Sequence, residues 1–164
     1  MENNQNQGNY LKFFSGGHHL LINVFNVHSI IEIPEITTIS QTPKYILGVI
    51  VVEGNSVPLL DTPVRLNLTK TKSKIQKTKI IVTIPSDNVE QDEFMPIAFT
   101  TEDIDDVIIL DQNEIQPLPT EKEEYDDRLF EGTYEHDQKL MMLLNIDNFY
   151  KENFDEIIKR KTTK

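Results

Sequence analysis

The stretch Gly48-Val-Ile-Val-Val-Glu-Gly-Asn-Ser-Val-Pro-Leu-Leu-Asp61 narrows this chain to a short list of β-folds. Its first arm is β-branched almost throughout, and its second alternates apolar with small or rigid residues, the pattern of strands buried in a small barrel. Between the arms, Gly54 and Asn55 supply the tolerance of positive φ that a tight Glu53-Gly54-Asn55 turn needs. Asp61 is placed to accept hydrogen bonds from the free amides of a following helical turn, and Pro63 stands where a missing N–H costs nothing. A short helix is therefore expected from Thr62.

The same design recurs. Leu59, Leu60 and Asp61 follow Gly48 at eleven, twelve and thirteen positions, and Leu143, Leu144 and Asn145 follow Gly132 at the same offsets. The turns fall at matching places, Glu53-Gly54-Asn55 and Asp137-Gln138-Lys139, and each unit runs into a helical turn. Two such units suggest two similar small barrels.

Around them the chain reads as short strands. Tyr10 to Ser15 and His19 to Asn23 flank a Gly16-Gly17 turn. Phe25, Val27, Ile30 and Ile31 form a turn and strand stopped at Pro34, and Ile80 to Ile84 forms another strand. Phe94 to Thr100 is expected as an edge or bulged strand because of Pro96. Val107 to Leu110 is a further short strand, and Leu129 to Tyr134 with Lys139 to Asn145 form a last hairpin. Connections are expected at the Lys-rich tract between Leu68 and Lys79, at Ser86 to Glu93, and at the acidic loop from Pro117 to Asp127. From Ile146, Phe149, Phe154, Ile157 and Ile158 lie near helical spacing, with acids early and Lys159-Arg160-Lys161 late, as a helix dipole favours.

Composition removes whole function classes. The chain has 164 residues, net charge −11 and no cysteine. A phosphate-covered partner is repelled on average, so no nucleic acid is expected. Disulfides, cysteine-based zinc sites, iron–sulfur clusters and thiol nucleophiles are excluded. Residues 1–9 are polar and read as a disordered lead-in. No apolar run reaches the roughly 20 residues of a membrane span, which points to a soluble, cytoplasmic protein without membrane insertion.

No constellation carries catalysis. His18-His19, His28 and His136 lack metal-ligand spacing. Glu102, Asp103, Asp105 and Asp106 lack the glycine and terminal glutamate of a calcium loop and read as a solvated acidic turn. The acids from Glu121 to Asp127 have no apolar neighbours to raise a pKa. Neither metal, cofactor nor enzymatic activity is expected, although a small β-barrel ligand-binding protein or enzyme stays open as an alternative.

The run Gly48-Val-Ile-Val-Val-Glu-Gly54 with Val57-Pro-Leu-Leu-Asp61 resembles the CheW-like domain family, the coupling-protein domain of bacterial chemotaxis. Supporting pieces are Thr42-Pro-Lys-Tyr-Ile-Leu-Gly48, Glu114-Ile-Gln-Pro117, Leu129-Phe-Glu-Gly132 and Leu140-Met-Met-Leu-Leu-Asn-Ile-Asp147. The resemblance covers about Tyr10 to Tyr150. It implies a mainly β fold of two packed SH3-like five-stranded β-barrels with a C-terminal helix. Residues 10–150 would form one domain of two intertwined barrel subdomains, and residues 151–164 the helix end and basic tail.

It also implies a non-enzymatic adaptor that couples chemoreceptor cytoplasmic tips to the regulatory domain of a CheA-type histidine kinase at membrane-associated receptor arrays, with other CheW-like domains as further partners. Val27, Ser29 and Glu53 fall at receptor-groove positions, and Gly48 and Gly54 in the central hairpin. Two positions depart from the family: Ser29 stands where an acid is common, and Glu53 where an arginine is usual. A carboxylate in place of a guanidinium would repel a receptor acid by about 1–3 kcal/mol if partly desolvated. The alternative is thus a divergent scaffold that binds the kinase or other CheW-like domains without the standard receptor contact.

Overall fold

The architecture was read from a computed structural model that describes residues 7–68, 79–85, 96–119 and 127–150. Among the described residues, ten strands form two five-stranded sheets. They are β1 (Gln7–Ser15), β2 (His18–Asn23), β3 (Val27–Glu32), β4 (Ile46–Val52), β5 (Asn55–Leu60), β6 (Lys79–Thr83), β7 (Ile97–Thr101), β8 (Asp103–Asp111), β9 (Phe130–His136) and β10 (Lys139–Leu144). Two short helices, α1 (Thr62–Arg65) and α2 (Ile146–Phe149), follow β5 and β10. The first sheet has the order β8-β1-β2-β10-β9 and the second β3-β6-β7-β5-β4. Position for position the pairings agree, antiparallel throughout except for the parallel pairs β2–β10 and β5–β7. The second sheet is continuous in sequence, whereas the first joins β1–β2 to β8–β10.

Apolar runs such as Leu20-Leu-Ile22 and Ile80-Ile-Val82 are continuous because both faces of each sheet are covered. One face of the second sheet encloses Ile50, Val52, Val57, Leu59, Ile80, Val82 and Ala98. In the first sheet, Tyr10, Leu21, Leu110, Met141 and Leu143 do the same. The opposite faces meet in one shared core that includes Leu11, Phe13, Leu20 and Met142 from the first sheet and Ile46, Leu60, Ile81 and Phe99 from the second. Phe149 of α2 stacks edge-on against Phe99, with centroids 4.9 Å apart, and the Arg65 guanidinium lies over Tyr45 and Phe149 at 4.7 and 5.6 Å. The neighbouring Tyr150 hydroxyl donates to the Thr83 carbonyl at 2.7 Å and accepts from the Ile97 amide at 3.2 Å. Burial pushes that hydroxyl well above the ordinary tyrosine pKa, so it remains a donor.

Several expectations are corrected. The described ladders leave β8 and β9, and β3 and β4, at the sheet edges, so closed barrels are not established. Single bridges, Thr37 to Val49 and Gln116 to Thr133, draw the segments after β3 and β8 over β4 and β9. The left-handed residues of the central turn are Glu53 and Gly54, and Asn55 already belongs to β5. Asp61 makes no side-chain cap. The Thr100 hydroxyl accepts from the Thr62 amide at 3.1 Å and so satisfies one of the free donors of α1. β7 is a central strand, since Pro96 stands just before its first paired residue. Asp103, Asp105 and Asp106 lie within β8 and not in a turn, with exposed side chains, while Ile104 and Ile108 are half-buried and Leu110 is buried. β1 begins at Gln7, inside the segment expected to be a loose lead-in. The lead-in from 1 to 6, most of the Lys-rich tract (69–78), the turn at 86–93, most of the acidic loop (120–126) and the helix end and tail at 151–164 lie outside the described residues.

Candidate functional site

The central hairpin is fixed at its root by Gly48. A Cβ there would overlap the Thr37 carbonyl oxygen and approach the Ile36 methyl to 2.8 Å, and its φ of 151° disfavours any side chain. Gly132 repeats the arrangement: its Cβ would lie 2.5 Å from the Gln116 carbonyl oxygen and 2.7 Å from the Ile115 methyl. Both glycines let the crossing segment close onto the strand, where the next residue, Val49 or Thr133, forms the bridge. At the tip, Glu53 (φ 52°) and Gly54 (φ 82°) form a two-residue turn of the type that matches the twist of the strands. A Cβ on Gly54 would meet open space, so that glycine serves the backbone conformation alone.

The structure brings Glu53 to β3. Its Oε2 stands 3.3 Å from His28 Nε2, a hydrogen bond in which the imidazole N–H donates and an ion pair when the ring is protonated. Val27 is half-buried against the shared core. Ser29 turns inward with Ile31, and its hydroxyl is buried without a hydrogen-bond partner. Val27, His28, Ser29 and Glu53 thus form one neighbourhood, whereas Gly48 lies at the far end of the hairpin and acts on it through register. Beside the hairpin, Pro34, Glu35, Thr37, Ile39, Val49, Val51 and Ser56 line an open groove of about 430 Å³.

Sequence reasoning missed part of this surface. Phe25 is 83% exposed in the 3₁₀ turn before β3, and Ile30 on β3 is also exposed. The sequence carried no signal for it: in Asn23-Val24-Phe25-Asn26 the turn buries Asn26 and exposes Phe25, which no strand alternation assigns to a face. Val107 and Ile109 are exposed on the equivalent edge strand β8. Ile104 occupies there the place that Val27 takes on β3, each packed against the shared core beside a register shift. Neither His18-His19 nor His136 joins a metal-binding group, and among the described residues no cluster of three or more metal-ligating side chains exists. No described helix is long and apolar enough to cross a membrane.

Residues 9–153 match the family described as CheW-like domain. The chain is 23% identical over 153 residues to "Chemotaxis protein CheW" of Helicobacter pylori, covering 93% of this chain and 87% of that protein. It is 19% identical over 140 residues to "Chemotaxis protein CheW" of Rhizobium meliloti, covering 85% of each. Among solved structures, the scaffolding protein TtCheW from Thermoanaerobacter tengcongensis superposes with a TM-score of 0.73 at 22% identity, covering 89% of both chains.

Proposed function

The chain belongs to the CheW-like domain family and is a non-enzymatic chemotaxis adaptor, and from that premise we propose that it couples chemoreceptor cytoplasmic tips to the regulatory domain of a CheA-type histidine kinase. In this reading residues 7–150 are one module in which each curled sheet is an SH3-like barrel, preceded by a short lead-in and followed by the tail at 151–164. The receptor tip docks beside Val27 and Glu53, with Ser29 behind them, on a hairpin held by Gly48 and Gly54. The kinase's own CheW-like domain, or another CheW-like domain, docks on the open groove beside the hairpin. The work is done in the cytoplasm at membrane-associated receptor arrays.

The observation that carries this reading is the pair of exposed apolar side chains Phe25, in the turn before edge strand β3, and Ile30, on β3, on either side of the half-buried Val27. A rigid, shallow apolar face of this kind is what a helical partner covers, and its burial supplies affinity without any catalytic group. Binding of purified chain to a soluble receptor-tip fragment and to the kinase regulatory domain tests it. Both are expected to bind, and Val27→Asp is expected to weaken the tip by roughly tenfold or more while leaving the kinase domain bound. Failure of the native chain to bind either partner would falsify the assignment.

A further inference from the structure

Glu53 is an unusual residue for its place. The first position of its turn demands φ near 52°, where a side chain other than glycine or asparagine is disfavoured, and yet its carboxylate is held over β3 by His28 and remains 70% exposed. The matching turn in the first sheet also begins with an acid, Asp137 at φ 51°, whose carboxylate meets His136 at 3.4 Å. His136 belongs to the same hairpin as Asp137, so that pair spans nothing. His28 belongs to a different strand, so the Glu53 carboxylate is carried onto β3, the edge strand that also presents Ile30 to water.

Among the described residues, no lysine or arginine pairs with Glu53. Outward positions on β3 are His28, Ile30 and Glu32, and Glu35 follows on the groove wall. Glu32 sits opposite Lys79 in the ladder, whereas Glu53 faces an imidazole that is charged only when protonated. The chain as a whole carries −11. A partner helix covering Phe25 and Ile30 removes water from the Glu53 carboxylate, and a carboxylate losing water needs a cation in return.

We propose that the partner segment docking on this face carries a lysine or arginine that meets Glu53, with His28 as the residue that positions the carboxylate. The proposal rests on the receptor-coupling reading and adds the charge that reading requires of the partner. A partner with an acidic side chain at this point would be excluded by like-charge repulsion, which makes Glu53 a determinant of which receptor the adaptor accepts.

The test titrates the soluble cytoplasmic-tip hairpin of a chemoreceptor from the same cell into the native chain, Glu53→Gln and Glu53→Arg, with kinase-domain binding as the check that each variant is folded. Glu53→Gln is expected to weaken tip binding about threefold and Glu53→Arg about tenfold or more, and native binding is expected to fall as salt is raised. A tip fragment whose contact lysine or arginine is changed to glutamate is expected to recover binding to Glu53→Arg. Tip binding by Glu53→Arg equal to or tighter than native overturns the charge proposal alone. A native chain that binds the kinase domain but no tip fragment overturns the receptor reading and the charge proposal together.

Discussion

The two sheets are alternative decorations of one scaffold. They agree where the backbone must pass close to itself: Gly48 and Gly132 admit the same crossing, the following residues form the same bridge, and β5 and β10 pair parallel to β7 and β2 in the same place. They differ at several places where the side chain reaches water. On the outer face of the hairpin, Val51 stands opposite Ser56 in the second sheet, and Glu135 opposite Leu140 in the first. At the tip, Glu53-Gly54 is replaced by Asp137-Gln138, and only in the second sheet does the acid reach another strand. The shared features therefore build the fold, and the divergent ones give the two sheets different exposed surfaces.

The largest effect should come from the shared feature. Gly48→Val and Gly132→Val are each expected to cost about 3–5 kcal/mol, because overpacking against a backbone carbonyl adds to an unfavourable φ. Denaturant midpoints should fall alike for both. A Gly132→Val protein that unfolds at the native midpoint would show that the two crossings are not equivalent.

A smaller loss should come from the strut between the sheets. Tyr150→Phe strands the Thr83 carbonyl and the Ile97 amide, and is expected to cost about 1–3 kcal/mol without a change in secondary structure by circular dichroism. An unchanged melting temperature would mean that the α2 end does not tie the sheets together.

The smallest effect should separate the two turns. Gln138→Gly relieves a side chain held at φ 65° and is expected to stabilise by about 0.5–1 kcal/mol, whereas Gly54 already has that relief. A destabilised Gln138→Gly chain would mean that the turn residues contribute something beyond backbone conformation.

These contrasts mark what could be read in advance. The Gly48 hairpin and its echo at Gly132 were legible because local backbone demands write themselves into glycine positions and β-branched runs. The equivalence of β1–β2 with β6–β7 was not, since one pair precedes and the other follows the hairpin it serves, and no fixed sequence period records that. Pro96 suggested an edge strand because proline cannot donate to a ladder, but it lies one residue outside the pairing. The acids of β8 suggested a turn because charge dominates their composition, while Ile104, Ile108 and Leu110 carry the strand. At the site, Val27 and Glu53 were placed together by resemblance. The His28 link and the exposed Phe25 needed tertiary geometry, because neither a lone histidine nor a lone aromatic announces its neighbour.

The interleaved order of strands has a consequence for synthesis. As the chain leaves the ribosome, the β1–β2 hairpin emerges well before its parallel neighbour β10, the last of the described strands, while β3 to β7 can assemble among themselves in between. The early hairpin must therefore wait, with Leu20 and Leu21 uncovered, until β10 arrives. Until β10 is made, this hairpin is the exposed part of a newborn chain, and chaperones that hold exposed aliphatic hairpins would find their target there.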